Sequence, residues 1–271
     1  MTKYPILLVH GMGFRDRKRL CYWGRVARAL EEHGARVYFG GQDSNGSVES
    51  NARQLEAALK NALADSGAEK VNIFAHSKGG LEARLLISGM GYANRVASLS
   101  TFSTPHNGSI TVDRLMRLAP QWLIKAACAP VDLWFRLLGD KCPDTYSAIC
   151  AFRTADAQRF NKAYPDCAGV YTQSFGFVMK NARSDMLMAL PWLVVRRFEG
   201  DNDGLLAPRA VSFGVFRGVF SGTGRRGVSH CDETDARRRR LCASPPKAPH
   251  EISDITQFYL GVAQELAEIG L

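Results

Sequence analysis

Short apolar runs alternate with longer amphipathic stretches along the chain, and this alternation predicts the fold. The runs have the length and the β-type composition of strands, and they cover residues 6–9, 37–39, 71–74, 96–102, 170–175, 193–198 and 215–220. Helical patterns fall between and after them, at 19–33, 48–66, 81–88 and 252–269. A chain that alternates strand and helix builds a mostly parallel sheet with helices on both faces, so we expect an α/β fold.

The length of the chain favours one large domain. Its 271 residues, 46% of them hydrophobic, are enough for a single sizeable core, and we treat 1–271 as one domain. Between the strands 96–102 and 170–175 lies a long segment without strand character. We interpret its residues 109–166 as a helical insertion within the domain.

Charge, the start of the chain and cysteine content indicate which partners and which cellular compartment suit the protein. The formal net charge of +9 suits anionic surfaces, including lipid headgroups and nucleic acid. The apolar start of the chain is too short for a signal peptide, and charges and prolines interrupt the apolar stretch 118–138, so we predict a cytoplasmic protein without a transmembrane segment. Seven cysteines without a CxxC pair fit reduced thiols better than disulfides or zinc ligands.

Ser77 is the candidate nucleophile. It lies in "VNIFAHSKGG", residues 71–80, between an apolar strand and a helix. A serine on such a sharp turn requires small residues two positions before and after it, and Ala75 and Gly79 meet that requirement. The alternative is an ordinary structural turn.

The first strand ends in a glycine-containing loop that could help to stabilise negative charge. In "HGMG", residues 10–13, a backbone N–H can turn toward Ser77 if both strands lie centrally in the sheet. The oxyanion donors would then be the amides of Met12 and Lys78. A dinucleotide-binding loop is the rival interpretation, but the third glycine of its motif is missing.

A serine hydroxyl needs a histidine to accept its proton. Two of the six histidines, His230 and His250, lie in the C-terminal part of the chain. A hydrolase with this order of strands and helices has its catalytic base there. His230 is in a polar, glycine-containing loop after the strand 215–220, whereas His250 follows a proline-rich connector. We therefore favour His230.

The histidine in turn needs a carboxylate to orient it. The segment "EGDNDGLLAP", residues 199–208, has three acids in five positions after the predicted strand 193–198. Asp203, followed by a glycine, is the preferred candidate, and Asp201 and Glu199 are possible substitutes. The chain order Ser77, Asp203, His230 is that of the α/β-hydrolase fold.

Five motifs resemble, in order and approximate spacing, those of the bacterial triacylglycerol lipases of the α/β-hydrolase superfamily: "PILLVHGMG", "AHSKGG", "STPHNGS", "NDGLLAP" and "SHCDE". The resemblance assigns the triad to Ser77, Asp203 and His230, and the oxyanion amides to Met12 and Lys78. It departs from the usual pattern at Ala75, where a glycine is common, and in the missing secretion signal. No cofactor is expected to be required.

The resemblance also implies a possible structural calcium ion. Some of these lipases bind calcium through two aspartates, one of them just after the catalytic histidine. Asp232 matches that position, and Asp185 is the candidate for the second ligand. Calcium needs several further oxygen ligands, such as backbone carbonyls. Both aspartates could instead be surface carboxylates or helix caps.

The insertion is the expected site of specificity. Its stretch 115–139 is rich in leucine and aromatic residues at helix-compatible spacing. We interpret these helices as a lid and the wall of an acyl pocket, with a permanently packed cap as the alternative. The candidate side chains are Trp122, Leu123, Trp134 and Phe135.

The sequence thus predicts a serine hydrolase that cleaves lipid-like esters. The arginine run at 236–241 is read as a solvated face, with an anionic membrane surface as an alternative and no nucleic-acid partner, because no nucleic-acid-binding motif is present. Other open alternatives are an acyltransferase, a thioesterase or a phospholipase with the same triad, and a non-catalytic lipid-binding protein of the same fold.

Overall fold

A parallel sheet forms the centre of the molecule. The computed structural model of the protein describes residues 1–16 and 21–271. Its seven strands, counted over these residues, run in the order β2-β1-β3-β4-β5-β6-β7, and all neighbours are parallel. They are β1 (Ile6–Val9), β2 (Val37–Phe39), β3 (Val71–His76), β4 (Val96–Phe102), β5 (Tyr171–Phe177), β6 (Val215–Gly222) and β7 (Glu251–Ile252). The predicted α/β architecture is confirmed.

Helices cover both faces of the sheet and fill the insertion between β4 and β5. Those in the described residues are α1 (Val26–Glu32), α2 (Val48–Ser66), α3 (Lys78–Arg84), α4 (Ile110–Met116), α5 (Gln121–Leu137), α6 (Thr145–Cys150), α7 (Thr154–Ala163), α8 (Ala189–Glu199), α9 (Pro208–Val211) and α10 (Ile255–Glu268). None of these helices combines the length and the apolar character needed to cross a bilayer.

Alternation along the central strands creates two hydrophobic layers. In β1, Ile6 and Leu8 pack with residues of α1 and α10, whereas Leu7 and Val9 pack with α2 and with the segment after α3. This is the two-residue period of a strand that is buried on both faces. Because the strands are parallel, their carboxyl ends meet at one edge of the sheet, where ligands of α/β folds bind.

The segment 193–198 is helical, not a strand as its composition predicts. It lies in α8, where Trp192 and Val195 are buried and Leu190 and Leu193 are exposed. A short apolar run does not separate a strand from a helix, and here the burial follows helical spacing. The acidic segment after it therefore follows a helix.

Two other predicted boundaries also shift. The first helix begins at Val26, and positions 19 and 20 of the predicted range lie outside the described residues. The last helix begins at Ile255, because residues 251–252 form the edge strand β7 and Asp254 caps the helix by accepting a hydrogen bond from the Thr256 amide.

Gly79 should be the least replaceable glycine of α3. A Cβ atom there would lie 2.5 Å from the His10 carbonyl oxygen and 2.8 Å from that of Val9. Both are backbone atoms of the sheet edge, and shifting them would cost stability. We expect Gly79→Ala to lower the free energy of unfolding by about 1–3 kcal/mol, measured by urea denaturation.

Gly261→Ala is the matched control for this substitution. Gly261 also lies within a helix, but a Cβ atom there meets nothing within 4 Å, so alanine should stabilise the protein by about 0.5–1 kcal/mol. Equal effects of the two substitutions would contradict the close approach of α3 to β1.

Candidate active site

Ser77 occupies a strained turn between β3 and α3. Its backbone angles are φ 54° and ψ −130°, a conformation that L residues rarely adopt. The turn is held in place because the Ser77 amide donates to the Phe102 carbonyl (2.9 Å) and the Gly80 amide donates to the Ser77 carbonyl (3.1 Å). The side chain is thereby presented at the carboxyl edge of the sheet.

The loop after β1 packs directly against this serine. A Cβ atom at Gly11 would lie 2.8 Å from the Ser77 Cβ, so only glycine allows the approach. Gln42 Nε2 donates to the His10 carbonyl (2.9 Å), and the buried His10 ring faces the carbonyls of Gly11 and Gln42. Burial lowers the pKa of His10 to about 4, and the neutral ring, which has a single N–H, can donate to one of these two carbonyls. The predicted donor Met12 follows immediately.

Lys78 serves a structural purpose with its side chain. The ammonium group is fully buried, forms an ion pair with Glu82 Oε1 at 2.5 Å and donates to the Gly46 carbonyl at 2.7 Å. This contact attaches the loop 40–46 to α3. The predicted oxyanion role of Lys78 concerns its backbone amide only.

Asp203 and His230 form a buried pair. His230 Nδ1 lies 2.8 Å from Asp203 Oδ2, and the His230 amide donates to the Asp203 carbonyl, also at 2.8 Å. Burial opposes ionisation of Asp203, but His230 and the amides of Leu205 and Leu206 outweigh it and lower the pKa of Asp203 to about 2. Because the ionised carboxylate accepts from Nδ1–H, Nε2 of His230 is left as the basic nitrogen.

The other candidate acids lie elsewhere. Asp201 is exposed and paired with Arg196. The side chain of Glu199 is buried against the start of the insertion, where it accepts hydrogen bonds from the Ser109 hydroxyl and the Thr111 amide, both at 2.7 Å. Of the three acids proposed from the sequence, only Asp203 contacts His230 among the contacts of the described residues.

A second buried carboxyl group, which sequence reasoning missed, lies beside this pair. Glu233 Oε2 is 3.1 Å from His76 Nε2, Ser103 Oγ donates to Glu233 Oε1 (3.0 Å), and His230 Nδ1 lies 3.8 Å from that oxygen. Burial first, and then the charge of Asp203, raises the pKa of Glu233 well above its ordinary range. The raised pKa favours the neutral form of Glu233 beside an ionised Asp203.

His76 belongs to the same cluster. Its ring centroid is 4.4 Å from that of His230, so His230 packs against the residue that directly precedes Ser77. His76 Nδ1 is 2.7 Å from the Tyr22 hydroxyl, and burial lowers the pKa of His76 well below its ordinary value. The position of Tyr22, in a segment without a recognisable motif, gave no sequence signal.

An apolar cavity of about 330 Å³ opens beside His230. It has the size and the mixed lining typical of a small ligand pocket. The side chains that line it include Met12, Phe14, Tyr22, Leu187, Met188 and Leu205.

The four pocket residues predicted in the insertion do not line this cavity. They lie on α5, where Trp122, Leu123 and Trp134 are exposed and Phe135 is half-buried. The cavity wall comes instead from the segment before α8 and from the loop after β1. The sequence favoured the insertion because its stretch 115–139 is rich in leucine and aromatic residues at helix-compatible spacing, but apolar composition does not show which surface a side chain faces. A lid function of α5 stays a prediction.

The two predicted calcium ligands lie side by side. The Ser229 hydroxyl is 2.7 Å from Asp185 Oδ2 and 2.9 Å from Asp232 Oδ2. Both carboxylates also contact arginines, Arg226 and Arg237. A second group of potential metal ligands in the described residues consists of His76, His230 and Glu233, with ligand atoms within 4.8 Å of one another. Hydrogen bonds between His76 and Glu233 and between His230 and Asp203 already engage these side chains.

Comparison with known proteins places the chain in a family. The family model described as palmitoyl protein thioesterase matches residues 5–210, most of the chain. The chain belongs to this family. Its match includes Ser77 and Asp203 and ends before His230.

Two curated relatives extend the family assignment. A triacylglycerol lipase of Vibrio cholerae is 30% identical over 86% of this chain and 80% of its own length. Another, from Pseudarthrobacter phenanthrenivorans, is 32% identical over 60% of this chain, which spans about half of that relative (54%). The predicted relationship to bacterial triacylglycerol lipases is confirmed.

The fold comparison agrees with this relationship. A Staphylococcus hyicus lipase structure superposes with a TM-score of 0.71 at 16% identity, covering 99% of this chain and 96% of that one. At this level of identity the likeness concerns the fold alone. The family member described here has the α/β-hydrolase fold.

Glu233→Gln should change how stability depends on pH. A carboxyl whose pKa is raised on folding stays protonated in the native state while the unfolded chain has lost that proton. Its contribution is therefore complete at low pH and falls as pH rises, by up to about 1.4 kcal/mol per pH unit. Since glutamine does not ionise, the variant should gain stability relative to wild type between about pH 5 and 7, measured by denaturant titration.

The exposed Glu268→Gln is the control for this comparison, because it removes a carboxyl group without burial. A constant stability difference between wild type and Glu233→Gln across that pH range would show that Glu233 is ionised in the folded protein.

Proposed function

We propose that this protein is a serine hydrolase that cleaves carboxylic esters of lipid-like substrates through an acyl-enzyme. The 2.8 Å contact of Asp203 with His230, packed against the turn that carries Ser77, is the observation that supports this function most directly. Those three residues are the proposed triad. The names of the lipase relatives agree with the proposal.

The proposed reaction begins with proton transfer. His230 Nε2 accepts the Ser77 proton as Oγ attacks the acyl carbonyl carbon, and Asp203 stabilises the resulting imidazolium. The carbonyl oxygen becomes an oxyanion, which the amides of Met12 and Lys78 would bind. His230 then protonates the leaving alcohol as the C–O bond breaks, and water, deprotonated by the same imidazole, releases the acid and restores Ser77.

The cavity beside His230 supports a substrate whose acyl group is apolar and binds in this cavity. Leu187, Met188 and Leu205 give its wall hydrocarbon character beside the base. Burying a methylene group gains about 0.8 kcal/mol, so longer acyl chains should bind more tightly until the cavity is filled.

Contact with a lipid surface is the part of the proposal that involves α5. Four large apolar side chains of α5 are each at least 59% exposed, and so much apolar surface on one helix is unusual in water. They are Trp122, Leu133, Trp134 and Leu137. Together with the net charge of +9, this surface supports peripheral binding to anionic lipid surfaces.

The match to a thioesterase family model favours thioester hydrolysis as a second candidate function. The same triad would attack a thioester carbonyl, with a thiolate as the leaving group.

Ester and thioester chemistry can be compared with one pair of proteins. We expect wild type to hydrolyse p-nitrophenyl esters with an optimum beyond acetate, and Ser77→Ala to lose several orders of magnitude in turnover, because the nucleophile is absent. The exposed Ser244→Ala serves as control. Palmitoyl-coenzyme A is then offered as a competing thioester substrate, and the ratio of kcat/KM for the thioester to kcat/KM for the ester decides between the two functions. Equal rates for wild type and Ser77→Ala would eliminate both.

Asp203→Asn tests the acid of the triad. An amide favours the wrong tautomer of His230, and the corresponding change in a serine protease costs about 10⁴-fold in kcat, so we expect a loss of about 10³–10⁴-fold in ester hydrolysis. Asp201→Asn, two positions away and exposed, should leave kcat unchanged. The proposal fails if Asp201→Asn is the variant that loses activity.

A further inference from the structure

Asp185 and Asp232, the two aspartates implied as calcium ligands, are already engaged by cations of the chain itself. Arg237 Nη2 lies 3.0 Å from Asp185 Oδ1, and its Nε lies 3.4 Å from Asp232 Oδ1. Arg226 Nη2 donates to Asp232 Oδ2 at 2.5 Å. Asp232 Oδ1 is buried and accepts no hydrogen bond, and the ion pair with Arg237 Nε at 3.4 Å is the contact that balances its charge.

A backbone carbonyl completes this cluster. Arg226 Nε donates to the Ser184 oxygen at 3.0 Å, and Arg237 Nη2 donates to the same oxygen at 3.4 Å. Two carboxylates and a carbonyl are the oxygen types that calcium prefers in proteins. Here guanidinium groups are bound to the oxygens of all three groups.

Charge balance argues against a metal in addition to the arginines. The two carboxylates carry −2 and the two guanidinium groups carry +2, the charge that one calcium ion would supply. A calcium ion would have to displace both guanidinium groups or be repelled by them at short range. The residues present therefore do not fit a calcium site.

We propose that Arg226 and Arg237 replace calcium as the cation that joins the His230 loop to the segment before α8. The joined parts are residues 226–237 and 182–187. The two arginines are positioning residues, because they hold Asp232 in place. Asp232 in turn accepts a hydrogen bond from the amide of Ser229 (3.0 Å), the residue directly before His230, and so fixes the backbone next to the histidine. The inference concerns folding of this loop and does not depend on the reaction that the protein performs.

The wild-type arm of the test is a calcium titration. We expect excess EDTA to leave the Tm of the wild-type protein unchanged, and isothermal calorimetry to show no calcium binding. A fall in Tm with EDTA that added calcium reverses would overturn the proposal. Both readouts are independent of turnover, so an inactive protein would still give a decisive answer.

The variant arm removes the guanidinium groups. Arg226→Met/Arg237→Met leaves two buried carboxylates without a cation, and we expect Tm to fall by at least about 5 °C. Calcium should then raise the Tm of this variant toward that of wild type, because the oxygen ligands are free. Arg239→Met, in the same arginine run but exposed, is the control and should show neither effect.

Calcium rescue separates cation replacement from a general loss of structure. If the double variant folds and calcium leaves its Tm unchanged, the arginine pair does not occupy a cation site and the proposal is wrong. If it does not fold by itself, the double variant is refolded with and without calcium and its folded fraction is measured by circular dichroism. A larger folded fraction with calcium supports the proposal, and no increase overturns it.

Discussion

The buried contact between Asp203 and His230 is the interaction on which the rest of the site depends. A carboxylate without solvent remains ionised only if hydrogen-bond donors around it stabilise its charge. His230 and the amides of Leu205 and Leu206 meet this need. The loops that carry both residues must therefore lie together at the carboxyl edge of the sheet. Glu233, whose pKa is raised by burial and by the charge of Asp203, adds hydrogen bonds with His76 and Ser103 beside them.

Close backbone approach supplies the other half of the geometry. The strained conformation of Ser77 costs on the order of 1–3 kcal/mol, which the surrounding structure must offset. Its amide is bonded to the end of β4, and helix α3 approaches β1 so closely that only glycine fits at position 79. Gly11 allows the loop after β1 to contact the serine from the other side. The sheet, the loop and the helix thus converge on one residue.

Much of this arrangement could be predicted from local sequence. The parallel strands follow from apolar runs, Ser47 and Gly67 cap α2 as their residue types suggest, and the chain order of Ser77, Asp203 and His230 is typical of the fold. The helix α8 and the cavity wall could not be predicted, because a short apolar run has no unique period and its contacts are set by tertiary packing. The partners Tyr22, His76 and Glu233 come together only after folding. Tyr22 and Glu233 are 211 positions apart in the sequence, and single-sequence patterns carry no information on such distant contacts.

Covalent labelling tests the central claim most directly. A fluorophosphonate probe reacts with a serine only where a base activates the hydroxyl and donors stabilise the oxyanion-like adduct. Peptide mass spectrometry of the labelled protein should place one adduct on Ser77, with labelling lost in His230→Ala although that variant remains folded by circular dichroism. An adduct on another serine, or undiminished labelling of Ser77 in His230→Ala, would contradict the account.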